Sequence, residues 1–171
     1  VYTNKVPLIA REFKDTLLTV KSTHPDLLFV SHFGTTLGYL LKQINEIGIN
    51  ATILGDYETN DAEVLRIARG ATEDIIISSP QPPKSTRTLT AFTEEYRNRY
   101  GKSPDVLASN AYDAVILAVT NYVACKGDTD CMSRKLETVE NHEGVSGNIT
   151  INKDHSVEKP VIFKRMKNGK F

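Results

Sequence analysis

Apolar positions in the first half of the chain alternate between helical and strand spacing. In FKDTLLTVKSTHP, Phe13, Leu17, Leu18 and Val20 form a helical stripe that Pro25 stops. DLLFVSH is a continuous apolar run between polar residues, the pattern of a strand buried on both faces. TTLGYLLKQINEIG then places Leu37, Leu40, Leu41, Ile44 and Ile47 at helical intervals. Thr35 or Thr36 is expected to cap its start and Gly48 its end. NATILG reads as a short strand. NDAEVLRIARG reads as a helix with Asn60 or Asp61 as cap and Gly70 as stop, and DIIISS as a third buried strand through Ile75, Ile76 and Ile77. Residues 11–79 therefore read αβαβαβ. That order predicts an α/β fold, three-layer αβα with a mainly parallel sheet, helices on both faces and right-handed connections.

The pattern then changes. SPQPPKSTR holds three of the seven prolines and reads as a linker or crossing segment. TLTAFTEEYRNRYG carries Leu89, Phe92, Tyr96 and Tyr100 on one helical stripe, and a longer apolar helix is expected from about Ala108 to Ala124. MSRKLETV reads as a short helix. GNITIN and PVIFKRM read as two closing strands that pair across the KDHS turn. Two helices with no strand between them, followed by a hairpin, make an incomplete domain.

Composition narrows the function. The 171 residues carry 21 basic and 21 acidic side chains, so the formal charge is zero. A nucleic-acid surface needs a basic footprint, and the one basic cluster, IFKRMKNGK, reads as an exposed strand and tail. No apolar run approaches the ~20 residues that span a bilayer, and no signal peptide is visible. The first residue is Val1 rather than Met, as in a matured, trimmed or partial chain. Cys125 and Cys131 flank a polar loop whose length permits a disulfide, with two free thiols as the alternative. A disulfide would place the chain in an oxidising compartment. Zinc spacing, a nucleophile elbow, a phosphate loop and a dinucleotide fingerprint are all absent, and no cofactor is expected.

Three stretches carry a family resemblance: DLLFVSHFGTTLGYLLKQINEIGINATILG, the block from Phe92 to Val119 with its AYDA, and GVSGNITINKDHSVEKPVIFKRMKNGKF. Together they resemble the type I periplasmic binding proteins, in particular the branched-chain amino-acid receptors of ABC transporters. The resemblance implies two αβα lobes with ligand between them. On that plan residues 1–79 are the core of the second lobe, residues 80–142 a hinge crossing and first-lobe helices, and residues 143–171 strands returning to the second lobe. It further implies the C-terminal part of a receptor about twice this length, lying in the periplasm or outside the cell, with or without a lipid anchor. Its partners would be a small-molecule ligand, an amino acid or analogue, and a membrane permease. A ligand-sensing ectodomain and an α/β enzyme are the competing readings. Val115, Leu117, Val119 and Val123 form an apolar helix face expected to pack on a partner chain or a second copy.

The candidate site follows from the strand ends, because ligands of open α/β sheets bind beyond them. Those ends are SHFGTT, GDYET and SSPQ. Phe33 matches the family's ligand-packing aromatic. Gly34 and Thr35, with Thr36, open a helix whose backbone N–H groups suit an anion. Tyr57 stands where some branched-chain receptors carry a glutamate for the ligand ammonium, and Asp56 and Glu58 flank it as substitutes. That departure weakens the expectation of a plain aliphatic amino acid. His32 lies nearby and reads as a polar contact or surface group.

Overall fold

The apolar spacing of residues 34–47 becomes a 14-residue helix against which the first half of the chain is built. The computed structural model describes residues 1–171. In chain order the first half holds α1 (Lys14–Ser22), β1 (Leu27–Val30), α2 (Gly34–Ile47), β2 (Thr52–Gly55), α3 (Ala62–Ala68) and β3 (Ile76–Pro80). The second half holds α4 (Arg87–Tyr100), α5 (Val106–Ala124), α6 (Thr129–Leu136), β4 (His142–Gly144), β5 (Gly147–Ile151), β6 (Val157–Glu158) and β7 (Val161–Arg165). Two compact units result, Val1–Ser79 with Ile162–Phe171, and Pro80–Val161.

In the first unit β1, β2 and β3 run parallel in sequence order, with Val30 opposite Gly55 and Gly55 opposite Ile77. Beyond β3 the sheet is completed by β7. Leu37, Leu41 and Ile44 of α2 are buried with Val64 and Ala68 of α3, Phe13, Leu17 and Val20 beside α1, and Ile75 and Ile77. Each of these Val, Leu, Ile and Phe side chains contributes roughly 1.5–3 kcal/mol through removal from water. At Gly38 the helices α2 and α3 meet so closely that an added Cβ would stand 2.7 Å from Ile67 Cβ. Strands laid down in sequence order with right-handed connections put α2 and α3 on one face of the sheet. The other face keeps Leu27 and Phe29 52% and 63% exposed. The expectation that β1 is buried on both sides is thus corrected: Leu28 and Val30 face the core and their neighbours face out.

Helix ends also differ from the sequence reading. Neither Thr35 nor Thr36 caps α2, because the helix already begins at Gly34, whose φ of +59° favours glycine. The Thr36 hydroxyl instead donates to the Leu8 carbonyl at 2.7 Å, which ties the N-terminal arm to α2. Gly48 ends α2 in the left-handed region, as expected. Asp61 caps α3 by accepting from Glu63 N at 2.8 Å and Val64 N at 3.2 Å. The helix stops at Arg69 rather than Gly70, and a 3-10 turn over Arg69–Thr72 follows.

In the second unit Thr86, Asp105 and Asp128 cap α4, α5 and α6. Cys125 and Cys131 form a disulfide with Cα atoms 5.8 Å apart, and it joins the end of α5 to α6. β4, β5 and β6 make an antiparallel sheet. The closing strands therefore pair differently from the sequence reading. GNITIN pairs with Val157–Glu158, and PVIFKRM leaves for the parallel sheet of the first unit. Pro160 falls between the two partners and, lacking an N–H, cannot extend the hairpin ladder. The stretch that groups with the first unit is correspondingly shorter than residues 143–171: it is Ile162–Phe171.

What holds β4 and β5 to the helices is Asp113 of α5. Buried at 3% exposure, its carboxylate accepts from Val145 N at 2.9 Å, from Ser146 N at 2.8 Å and from the Ser146 hydroxyl. Lys159 Nζ donates to the Ser146 hydroxyl and to Asn110 Oδ1, and burial lowers the Lys159 ammonium pKa while Asp113 opposes that shift. Val115, Val119 and Val123 of α5, read from sequence as one docking face with Leu117, are exposed, whereas Leu117 is buried and does not belong to that face.

Candidate functional site

The C-terminal ends of β1 and β2 lie side by side because the two strands are parallel and in register. The residues just after them, Ser31, His32 and Phe33 on one strand and Asp56 and Glu58 on the next, share one hollow of about 390 Å³. The N-terminal arm forms its other wall through Asn4, Lys5, Val6 and Leu8. Ser31 Oγ donates to Asp56 Oδ2 at 2.7 Å, so the two strand ends are joined by a side-chain bond. The other oxygen of Asp56 accepts from Glu58 N at 3.2 Å and starts the 3-10 turn Tyr57–Asn60.

Phe33 has extended backbone and leaves its ring 55% exposed, in contact with the His32 ring at a centroid distance of 5.2 Å. An exposed aromatic ring beside a polar hollow is a surface for a ligand's apolar part. His32 is only 8% exposed. Its Nδ1 lies 2.9 Å from Phe33 N and 3.2 Å from the Phe33 carbonyl oxygen, accepting from the first or donating to the second according to the tautomer, and its Nε2 is buried with no hydrogen-bond partner. Thr59 Oγ1, under the end of β2, is likewise buried and unpartnered. Gly55 makes room for it, since a Cβ there would stand 2.6 Å from that oxygen.

Of the residues singled out in the sequence, Phe33, Asp56 and Glu58 meet in this hollow; Gly34, Thr35 and Tyr57 do not line it. Gly34 and Thr35 form the first turn of α2. Tyr57 is half-buried, and burial together with the carboxylates of Glu58 and Asp56 raises its phenol pKa above the ordinary value. It is therefore a neutral hydrogen-bonding group at neutral pH. Sequence reasoning missed the arm, which has no periodicity, and Ser31. It read His32 as a polar contact or surface group, and the surface half of that reading is corrected, since the residue is buried. Larger depressions, about 910 Å³ between α4 and α5 and about 660 Å³ against α5 and β5, have mainly apolar walls. No group of histidine, cysteine and acidic side chains is arranged to hold a metal ion.

A parallel sheet with a hollow beyond its strand ends is the arrangement in which open α/β folds hold their ligands. The periplasmic binding protein family matches residues 1–170, and the chain belongs to that family. The members of that family are binding proteins. Among solved structures, the leucine-binding protein LivK of Thermotoga maritima superposes with a TM-score of 0.80 at 24% identity, over 94% of this chain and 47% of its own. The branched-chain amino-acid binding protein LivJ of Streptococcus pneumoniae, in complex with isoleucine, gives 0.75 at 24%, over 96% and 48%. A solute-binding protein of an ABC transporter from R. palustris, in complex with benzoate, gives 0.73 at 19%, over 96% and 46%. The chain thus spans about half the length of the structures it matches. No curated protein matches it. Family members are extracytoplasmic, and no helix here is long and apolar enough to cross a membrane.

Proposed function

We propose that this chain contributes one wall of the ligand cleft in an extracytoplasmic solute-binding subunit of an ABC transporter. The subunit takes up an amino acid or a similar small polar molecule and delivers it to a membrane permease. The observation that carries this reading is the convergence of Phe33, Asp56 and Glu58 in one hollow beyond two parallel strand ends. The Phe33 ring suits the ligand's apolar body. The Asp56 and Glu58 carboxylates suit a ligand ammonium group. Relatives crystallised with isoleucine, leucine, benzoate and 3,4-dihydroxybenzoate bracket the chemical class, a small acid with or without an amine. Lobe closure would complete the cleft, since the closed form makes contacts the open form lacks.

The test is calorimetric titration of the full natural polypeptide with L-leucine, L-isoleucine, benzoate and 3,4-dihydroxybenzoate. At least one is expected to bind, and Phe33→Ala is expected to weaken it by about 10- to 100-fold, the effect of losing roughly 1.5–3 kcal/mol of apolar contact. Silence across the panel, or full affinity in Phe33→Ala, would refute the assignment.

A further inference from the structure

We infer that Ser31 is a positioning residue: its hydroxyl holds the Asp56 carboxylate at the hollow, and the held carboxylate makes this site select molecules that carry an ammonium group beside an apolar body. The inference rests on the solute-binding reading above and narrows it, from amino acids and aromatic acids alike to amine-bearing ligands.

The pairing follows from strand register. Val30 and Gly55 stand opposite each other at the ends of β1 and β2, so the next residue on each strand, Ser31 and Asp56, leaves the sheet beside the other. Ser31 Oγ lies 2.7 Å from Asp56 Oδ2, and a carboxylate has no proton to give, so the hydroxyl is the donor. The other oxygen, Oδ1, accepts from Glu58 N at 3.2 Å. Each oxygen is thus tied once, one by its own chain and one by the neighbouring strand. A carboxylate offers about four acceptor sites, so about two remain for a ligand. Rotation of the group is arrested before any ligand arrives, which spares the cost of immobilising it at binding.

The charges around the hollow point to the ligand class. Its lining sets two carboxylates, Asp56 and Glu58, against one lysine, Lys5. A ligand ammonium is attracted to that balance, whereas an acid without an amine brings a like charge to it. The exposed Phe33 ring receives the apolar body. Ser31 is itself exposed, so loss of its hydroxyl leaves no buried group unpaired and the fold stands.

Calorimetry on the full natural polypeptide tests this. The probes are L-leucine, L-isoleucine, benzoate and 3,4-dihydroxybenzoate, with 4-methylpentanoate and 3-methylpentanoate, which are leucine and isoleucine without the amine. The better-binding amino acid should bind at least about tenfold more tightly than any of the four acids. Ser31→Ala should weaken that amino acid about three- to tenfold, the cost of immobilising one more side chain at binding. Ser31→Thr, which keeps the hydroxyl, should stay within about twofold of the unaltered protein. The affinity of the amine-free analogue, or its absence, should be the same in the unaltered protein and in Ser31→Ala; a general distortion of the hollow would weaken both ligands together. An aromatic acid that binds as tightly as the amino acids, unchanged amino-acid affinity in Ser31→Ala, or equal loss for the amino acid and its analogue each overturns the Ser31 inference and leaves the solute-binding reading standing. If none of the six compounds binds the unaltered protein, the solute-binding reading falls and takes this inference with it.

Discussion

Asp113→Ala is expected to destabilise the chain by about 3–5 kcal/mol, the largest effect of any single substitution considered. The carboxylate serves three donors at once, the N–H groups of Val145 and Ser146 and the Ser146 hydroxyl. Alanine would leave those donors buried without an acceptor, at roughly 1–3 kcal/mol for each group that water cannot reach. Lys159, already desolvated, would lose the charge that supports its ammonium. Gly144 adds a steric reason for the arrangement, since any Cβ there would collide with the same carboxylate. Urea denaturation followed by circular dichroism checks this. Asp113→Asn, which keeps one acceptor but turns an amide donor toward other donors, should fall between the two. A loss below about 1 kcal/mol in Asp113→Ala would show that the Val145–Ser146 turn stands without its carboxylate.

The second large effect lies at the contact of α2 with α3. Gly38→Val is expected to cost about 3 kcal/mol, the upper end of the usual overpacking range. A valine Cβ would start 2.7 Å from Ile67 Cβ and 3.2 Å from the Val64 carbonyl oxygen, and its two methyl groups have no free space to enter. Rotation of one side chain cannot relieve a clash with backbone, so the helices must separate. Separation would also shift the ends of β1 and β2, because the same two helices cover them. The expected result is a lower denaturation midpoint together with weaker ligand binding. Ile67→Ala in the same chain should restore only a small part of the stability, since it removes Cγ2 at 3.0 Å but keeps the Cβ at 2.7 Å. Stability unchanged in Gly38→Val would mean that the helices are not in close contact in solution.

The order of elements in residues 11–79 was readable because helical spacing and short apolar runs are local signals. Leu37, Leu41 and Ile44 announce both α2 and its buried face. Pairing was less readable where it depends on distant chain. Nothing near Ile162 tells the strand to join β3 rather than its hairpin neighbour; Met166 N donates to the Ile75 carbonyl, a partner 91 positions away in sequence. Exposure of Leu27 and Phe29 was also hidden, because a continuous apolar run looks the same whether one face or two are covered. At the site, Phe33 and Asp56 could be placed from strand ends alone. The burial of His32 could not, since it depends on how the ring packs beneath the strand end, a matter of geometry rather than residue type. Caps failed for a similar reason: Thr35 and Thr36 are good caps by chemistry, but Gly34 had already begun the helix.

The most direct test is backbone amide NMR of the protein during titration with whichever of L-leucine, L-isoleucine, benzoate and 3,4-dihydroxybenzoate binds. Binding beyond the strand ends predicts that the largest shifts fall on Ser31, His32, Phe33, Asp56 and Glu58, with smaller ones on the arm 4–8. Shifts confined to the hollow around Phe92, Tyr96 and Tyr112 would contradict it.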